Sequence, residues 1–146
     1  MSNATHIAEK FPYARYHEGW KIITWHPNGV LDDERADRMV EYLETEAEAD
    51  GAAFHRFTDL SGYARIQIGL DHIVRLARRR KQGYKGPPVK SAFYAVRLIG
   101  LSIARMYEEL MHGSRIEICT FRDRAAAADW LGVPAAILQP PRTESK

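Results

Sequence analysis

The residues best placed to do chemistry in this 146-residue chain are Asp59-Leu60-Ser61-Gly62. They end a run, Phe54 to Leu60, that reads as a strand, and ligands of open parallel sheets bind where such strands end. Asp59 could orient a ligand hydroxyl and Ser61 could donate to an anion. The same residue types also make an Asx turn, in which Asp and Ser bond nearby backbone amides and Gly supplies a positive φ. A helix then opens near Gly69, where free amides suit an anion and Arg65 is near enough in sequence to assist. Gly62 and Gly69 lack the spacing and the lysine of a P-loop.

Other candidates are weaker in pattern. Arg75, Arg78, Arg79, Arg80 and Lys81, with Tyr84 beyond, form a small basic patch that could contact phosphate, or a solvated helix face with the Arg80 stem lying along the apolar stripe. The six histidines show no His-x-x-His or His-Glu-x-x-His spacing. His72 falls on a polar helix face, and His112 lies near a helix C-terminus, where the dipole explains it. His55 lies in a strand where it could face Asp59 on the same side, which makes it the histidine to inspect. Neither a Ser-His-Asp order nor a paired-carboxylate spacing emerges, so no catalytic residue, metal site or cofactor is expected. The single cysteine, Cys119, excludes an internal disulfide and a Cys-built zinc site, and within a strand it reads as a small buried hydrophobe.

The elements that must position these residues follow from periodicity. Tyr13–His17 and Trp20–Trp25 read as a hairpin, stopped by Pro27-Asn28-Gly29. Asp32 caps a helix whose apolar stripe is Met39, Val40, Leu43 and Ala47, ending at Gly51. After the Phe54–Leu60 strand, Leu70, Ile73, Val74 and Ala77 mark a second helix. Val89–Val96 is a near-continuous apolar run, the mark of a central strand covered on both faces. Ile99, Ile103, Met106, Tyr107 and Leu110 mark a third helix. With Met111, Phe93 and Tyr94 this stripe could line a ligand cavity or simply form core. Arg115–Phe121 is a last strand, and Asp123 caps a last helix that buries Ala126, Ala127, Trp130 and Leu131. Strands alternating with helices imply an α/β domain with a mixed, mostly parallel sheet, an N-terminal antiparallel hairpin and about four helices. Residues 1–12 read as a flexible leader, 13–133 as one domain and 134–146 as a tail.

This order resembles the STAS domain of anti-anti-sigma factors, and more closely its SpoIIAA-like branch of bacterial proteins, over residues 13–133. The resemblance is carried by Gly29-Val30-Leu31, Asp59-Leu60-Ser61-Gly62, Gly69-Leu70 and Asp129-Trp130-Leu131-Gly132. It implies a helix-edge surface for protein partners, and relatives that bind nucleotides or lipid-like ligands. Anti-anti-sigma factors carry a phosphorylatable serine just before the glycine that matches Gly69. Here Ile66, Gln67 and Ile68 precede it, so Gln67 stands in the phosphoserine place and no kinase switch is expected there.

Composition bounds the rest. At 45% hydrophobic and 27% charged, the chain suits one globular domain rather than a disordered one. A net charge of +2 argues against a dedicated nucleic-acid binder. There is neither a membrane-spanning run nor a secretory leader, so a soluble cytoplasmic protein is expected. Nine acids fall between Asp32 and Asp50, and seven bases with no acid between Arg75 and Lys90. This asymmetry suggests a homodimer in which acidic face meets basic face. The function expected first is a non-enzymatic interaction or sensing module with a protein partner or itself. The alternative is a binder of a small apolar or anionic ligand.

Overall fold

The computed structural model describes residues 3–141. Asn3–His6 forms a 3-10 turn that leads into the short α1 (Ile7–Lys10). A five-stranded sheet is built from β1 (Ala14–His17), β2 (Ile22–Trp25), β4 (His55–Asp59), β6 (Val89–Tyr94) and β7 (Ile116–Phe121), side by side in that order. The β1–β2 pair is antiparallel and the other three pairs are parallel. Between these strands lie α2 (Asp33–Tyr42), α3 (Leu70–Gly83), α4 (Leu98–Leu110) and α5 (Arg124–Leu131). The expected mixed sheet, hairpin and four main helices are all present. Asp32 caps α2 by accepting from the Arg35 amide at 2.9 Å, and Asp123 caps α5 through the Ala125 amide. The α2 helix runs on as a π-turn, Leu43–Ala47.

A second sheet was not expected. β3 (Gly29–Asp32) pairs in parallel with β5 (Tyr63–Gln67), outside the main sheet. Each strand is short and mostly exposed, so neither carries an apolar alternation that a sequence pattern could show.

The chain ends are also packed further than expected. Within the supposed leader, Ala4 and Ile7 are fully buried against Ala14, Ile23, Trp25 and Phe54, and Phe11 lays its ring 4.9 Å from that of Trp25. Ala4 and Ile7 are therefore part of the core, with Phe11 packed against it. At the other end a 3-10 turn, Ala135–Leu138, buries Leu138 completely against Ile22, Phe57 and Ala92. Residues 1–2 and 142–146, the outer parts of the expected leader and tail, lie outside the described residues.

The main sheet is covered on both faces, as the apolar run of β6 requires. One face meets α5, where Ala127, Ala128 and Leu131 pack on Ile22, Phe57 and Ala92. The other face meets α2, α3 and α4 and carries Ile23, Trp25, Arg56, Thr58, Ser91 and Phe93. Among the described residues no helix is long and apolar enough to cross a membrane.

Candidate functional site

Asp59 closes β4 and is buried, with its side chain 5% exposed. It accepts from Ser61 N at 2.9 Å, Ser61 Oγ at 2.5 Å, His26 Nδ1 at 3.1 Å and Arg124 Nη2 at 2.6 Å. Burial alone would raise its pKa. The bonds from His26, Ser61 and Arg124 outweigh that effect and hold the carboxyl well below its usual range. Four donors occupy both oxygens, so Asp59 acts as a fixed anion that ties the end of β2, the β4–β5 turn and the start of α5. The Asx turn expected at Asp59-Leu60-Ser61-Gly62 is present, but Gly62 serves differently from expectation. Its φ is not positive, and a side chain there would collide with the Pro27 carbonyl. The histidine bonded to Asp59 is His26, while His55 shares the Asp59 face of β4 as expected. His55 instead accepts from the Lys90 amide at 2.9 Å.

The second feature lies between the sheet and helices α2–α4. A cavity of about 160 Å³ opens there. Met39, Val40, Leu76, Ile103, Ala104 and Tyr107 line it from the helices. Trp25, Arg56, Thr58, Ser91 and Phe93 line it from the strands. Part of the expected third-helix lining is confirmed in Ile103, Tyr107 and Phe93. Tyr94 lies on the opposite sheet face, where its ring stacks on Phe57 and beneath the Arg124 guanidinium. Ile99 is 53% exposed instead of lining the cavity.

The walls are mostly apolar, and the polar groups among them are Arg56, Thr58, Arg80 and Ser91. Arg56 and Arg80 are buried there, and both reach Glu48. Arg80 donates Nη1 to Oε1 at 2.9 Å and Nη2 to Oε2 at 2.5 Å, while Arg56 donates only Nη2, at 2.7 Å. The Arg56 Nε and Nη1 are buried without an acceptor among the described residues. Burial pulls the Arg56 pKa down to about 10, against the attraction of Glu48. Burial acts the same way on Arg80, but its two bonds to Glu48 win and raise it. Arg80 is thus not a stem with a solvated head. No sequence rule links Arg56 to Glu48 and Arg80, which lie on three different elements. The available signal is the alternation Phe54, Arg56, Thr58 inside a strand covered on both faces.

The other anticipated residues are spread out. Gly69 heads α3, but its amide donates to Asp33 Oδ1 at 2.9 Å, so the chain's own carboxylate already faces that helix end. Arg65 and Gln67 are exposed on β5, and Gln67 pairs with Asp32 in the register, two residues before Gly69 at the head of α3. Arg75, Arg78 and Arg79 are exposed along α3. Arg79 pairs with Glu44 at 2.6 Å, and Arg75 contacts His72, whose Nε2 meets Asp37 at 2.7 Å. The acidic and basic segments that suggested a dimer therefore meet within one chain. Cys119 is half-buried, and burial with Glu108 and Glu117 nearby raises its thiol pKa, which suits an inert packing residue.

Strand order and helix placement define a mixed α/β domain, hollow on one side of its sheet. Neither a family model nor a curated protein matches the chain. Among solved structures, the chain is similar to an uncharacterised protein of the DUF3478 family with a SpoIIAA-like fold from Shewanella loihica PV-4. The identity is 18%, over 75% of this chain and 83% of that one, with a TM-score of 0.49.

Proposed function

We propose that this protein is a non-enzymatic binding module that holds a small apolar molecule between its sheet and helices α2–α4. The cavity of about 160 Å³ carries this reading. An engineered void of nearly the same size, roughly 150 Å³ and lined by aliphatic and aromatic groups, stays dry and takes up benzene. Unfilled space of this size beside apolar walls forfeits dispersion contacts that a ligand can supply. A ligand that fills it restores the lost dispersion contacts and stabilises the folded state.

A partner surface is the second reading. Leu70 begins α3 and Leu98 and Ile99 begin α4, and all three are more than half exposed. Apolar groups gathered at helix starts suit a protein contact. Native mass spectrometry of the protein purified gently from its own host separates the readings. An added small-molecule mass supports the cavity reading. A bare chain that gains no thermal stability from any small apolar compound contradicts it, and a co-purified protein under those conditions favours the surface.

A further inference from the structure

We propose that the molecule held in this cavity is a small apolar carboxylate, with its anionic head on Arg56. The inference rests on the cavity reading above and adds the chemical class of the ligand.

Three observations converge. The first is a charge count. Arg56, Arg80 and Glu48 have side chains no more than 10% exposed, and they carry two positive charges against one negative. The nearby Glu44 is the partner of the surface residue Arg79, at 2.6 Å, and reaches Arg80 only at 3.7 Å. Tyr84 and Tyr107 also adjoin the guanidinium groups, and burial raises both phenols, keeping them neutral. One positive charge is thus left over in the wall of a mostly apolar cavity. A buried charge without a counter-charge is costly.

The second observation is the state of the donors. Glu48 already receives two bonds from Arg80, so Arg56 is not needed to neutralise it. Arg56 Nε and Nη1 have no acceptor among the described residues. The rings of Phe54 and Tyr84 lie 4.5 and 5.5 Å from its guanidinium carbon. Their faces offset part of the charge, and the Tyr84 hydroxyl also interacts with the Arg56 guanidinium, but neither residue supplies a negative charge. Nε and Nη1 lie on different edges of the guanidinium, so each offers a separate charge-assisted hydrogen bond, and one carboxylate oxygen on either would meet a free donor.

The third observation is position. Arg56 lines the cavity, and its register partner on β6 is Ser91, which lines it too. Thr58, two residues along the same strand face, is the other polar lining group on β4. A polar strip thus runs along an otherwise apolar wall, matching a molecule with one anionic end and an apolar body. A dianion such as a phosphate monoester would exceed the single spare charge, and a cation would be repelled.

Calorimetric titration of the full chain with toluene, benzamide and benzoate tests this. Benzamide has nearly the shape of benzoate without its charge. Benzoate is expected to bind about tenfold or more tightly than benzamide, the factor that a charge-assisted hydrogen bond supplies. In Arg56→Met that preference should vanish while toluene still binds. Arg56→Lys, which keeps the charge and most of the packing, should retain part of the preference. If toluene binds and benzoate shows no advantage over benzamide in the unmodified protein, the carboxylate assignment is overturned and the cavity reading stands. If the preference survives intact in Arg56→Met, the site of the head group is wrong. If none of the three compounds binds, the cavity reading fails along with the inference.

Discussion

The α5 face of the sheet and the face toward α2–α4 meet their helices on different terms. On the α5 face, Ile22, Phe57 and Ala92 are answered by Ala127, Ala128, Leu131 and Leu138, every one of them buried. Small helix residues lie against large strand residues, and the volumes match. On the other face, Arg56, Thr58 and Ser91 interrupt the apolar strand residues, and the helices leave about 160 Å³ unfilled. Polar strand residues occur on both faces, His55 and Asp59 among them on the α5 side, so it is the volume the helices supply that separates the two. One face is filled by the chain itself, and the other keeps open space between sheet and helices.

The largest expected effect lies where the α5 face ends. Asp59→Ala would strand Arg124 and His26 and should lower stability by about 3–5 kcal/mol in chemical denaturation, as loss of one partner of a buried ion pair does. A loss below about 1 kcal/mol would mean that Asp59 does not hold that end together.

Next comes one substitution made on each face. Ala127 and Ala104 are both buried helix alanines, the first against the filled face and the second against the cavity. Ala127→Leu should cost about 1–3 kcal/mol by overpacking. Ala104→Leu should cost less than about 1 kcal/mol, because the added atoms enter space already open. Equal costs, measured by thermal unfolding, would erase the contrast between the faces.

The smallest effect is in acid. Burial lowers the pKa of His17 and of His55, helped by Arg15 and His26 for the first and by Lys90 and Arg56 for the second. Their register partners place both side chains on the α5 side, level with Ile22. Both bind a proton more readily unfolded than folded. Their contribution is therefore full above the unfolded value of about 6.5 and is lost as pH falls below it. Asp59 has its folded pKa depressed, so its contribution is present above about 4 and is lost at still lower pH. Stability followed from pH 8 to pH 3 should fall in two stages. A flat profile between pH 7 and pH 5 would contradict the histidine assignment.

Much of this fold is legible in the residues. Asp32 and Asp123 announce their helices through cap chemistry, and the apolar spacings of α2, α3 and α4 place those helices correctly. α1 is only four residues long, too short to express a period, and its burial shows only through Ala4 and Ile7 meeting Trp25 and Phe54 in space. β3 and β5 are exposed and short, so no alternation marks them. At the candidate site, Asp59 was readable as a polar turn residue, but its partners His26 and Arg124 are 33 and 65 positions away. Spacing rules do not reach that far. The charge asymmetry of α2 and α3 was real. Glu44–Arg79 and Glu48–Arg80 join the two segments within one chain, a packing that charge runs alone cannot tell from pairing between chains. A hollow depends on how far helices stand from a sheet, and periodicity carries no information on that distance.

The most direct test of the account is thermal unfolding of the protein and of Ala104→Leu, each with and without saturating toluene. At about a hundred times the dissociation constant, a ligand of the folded state adds about 2.7 kcal/mol, enough to raise Tm by several degrees. The account predicts that rise in the unmodified protein and none in Ala104→Leu, whose added side chain occupies the cavity. No shift in either protein, or the same shift in both, would contradict it.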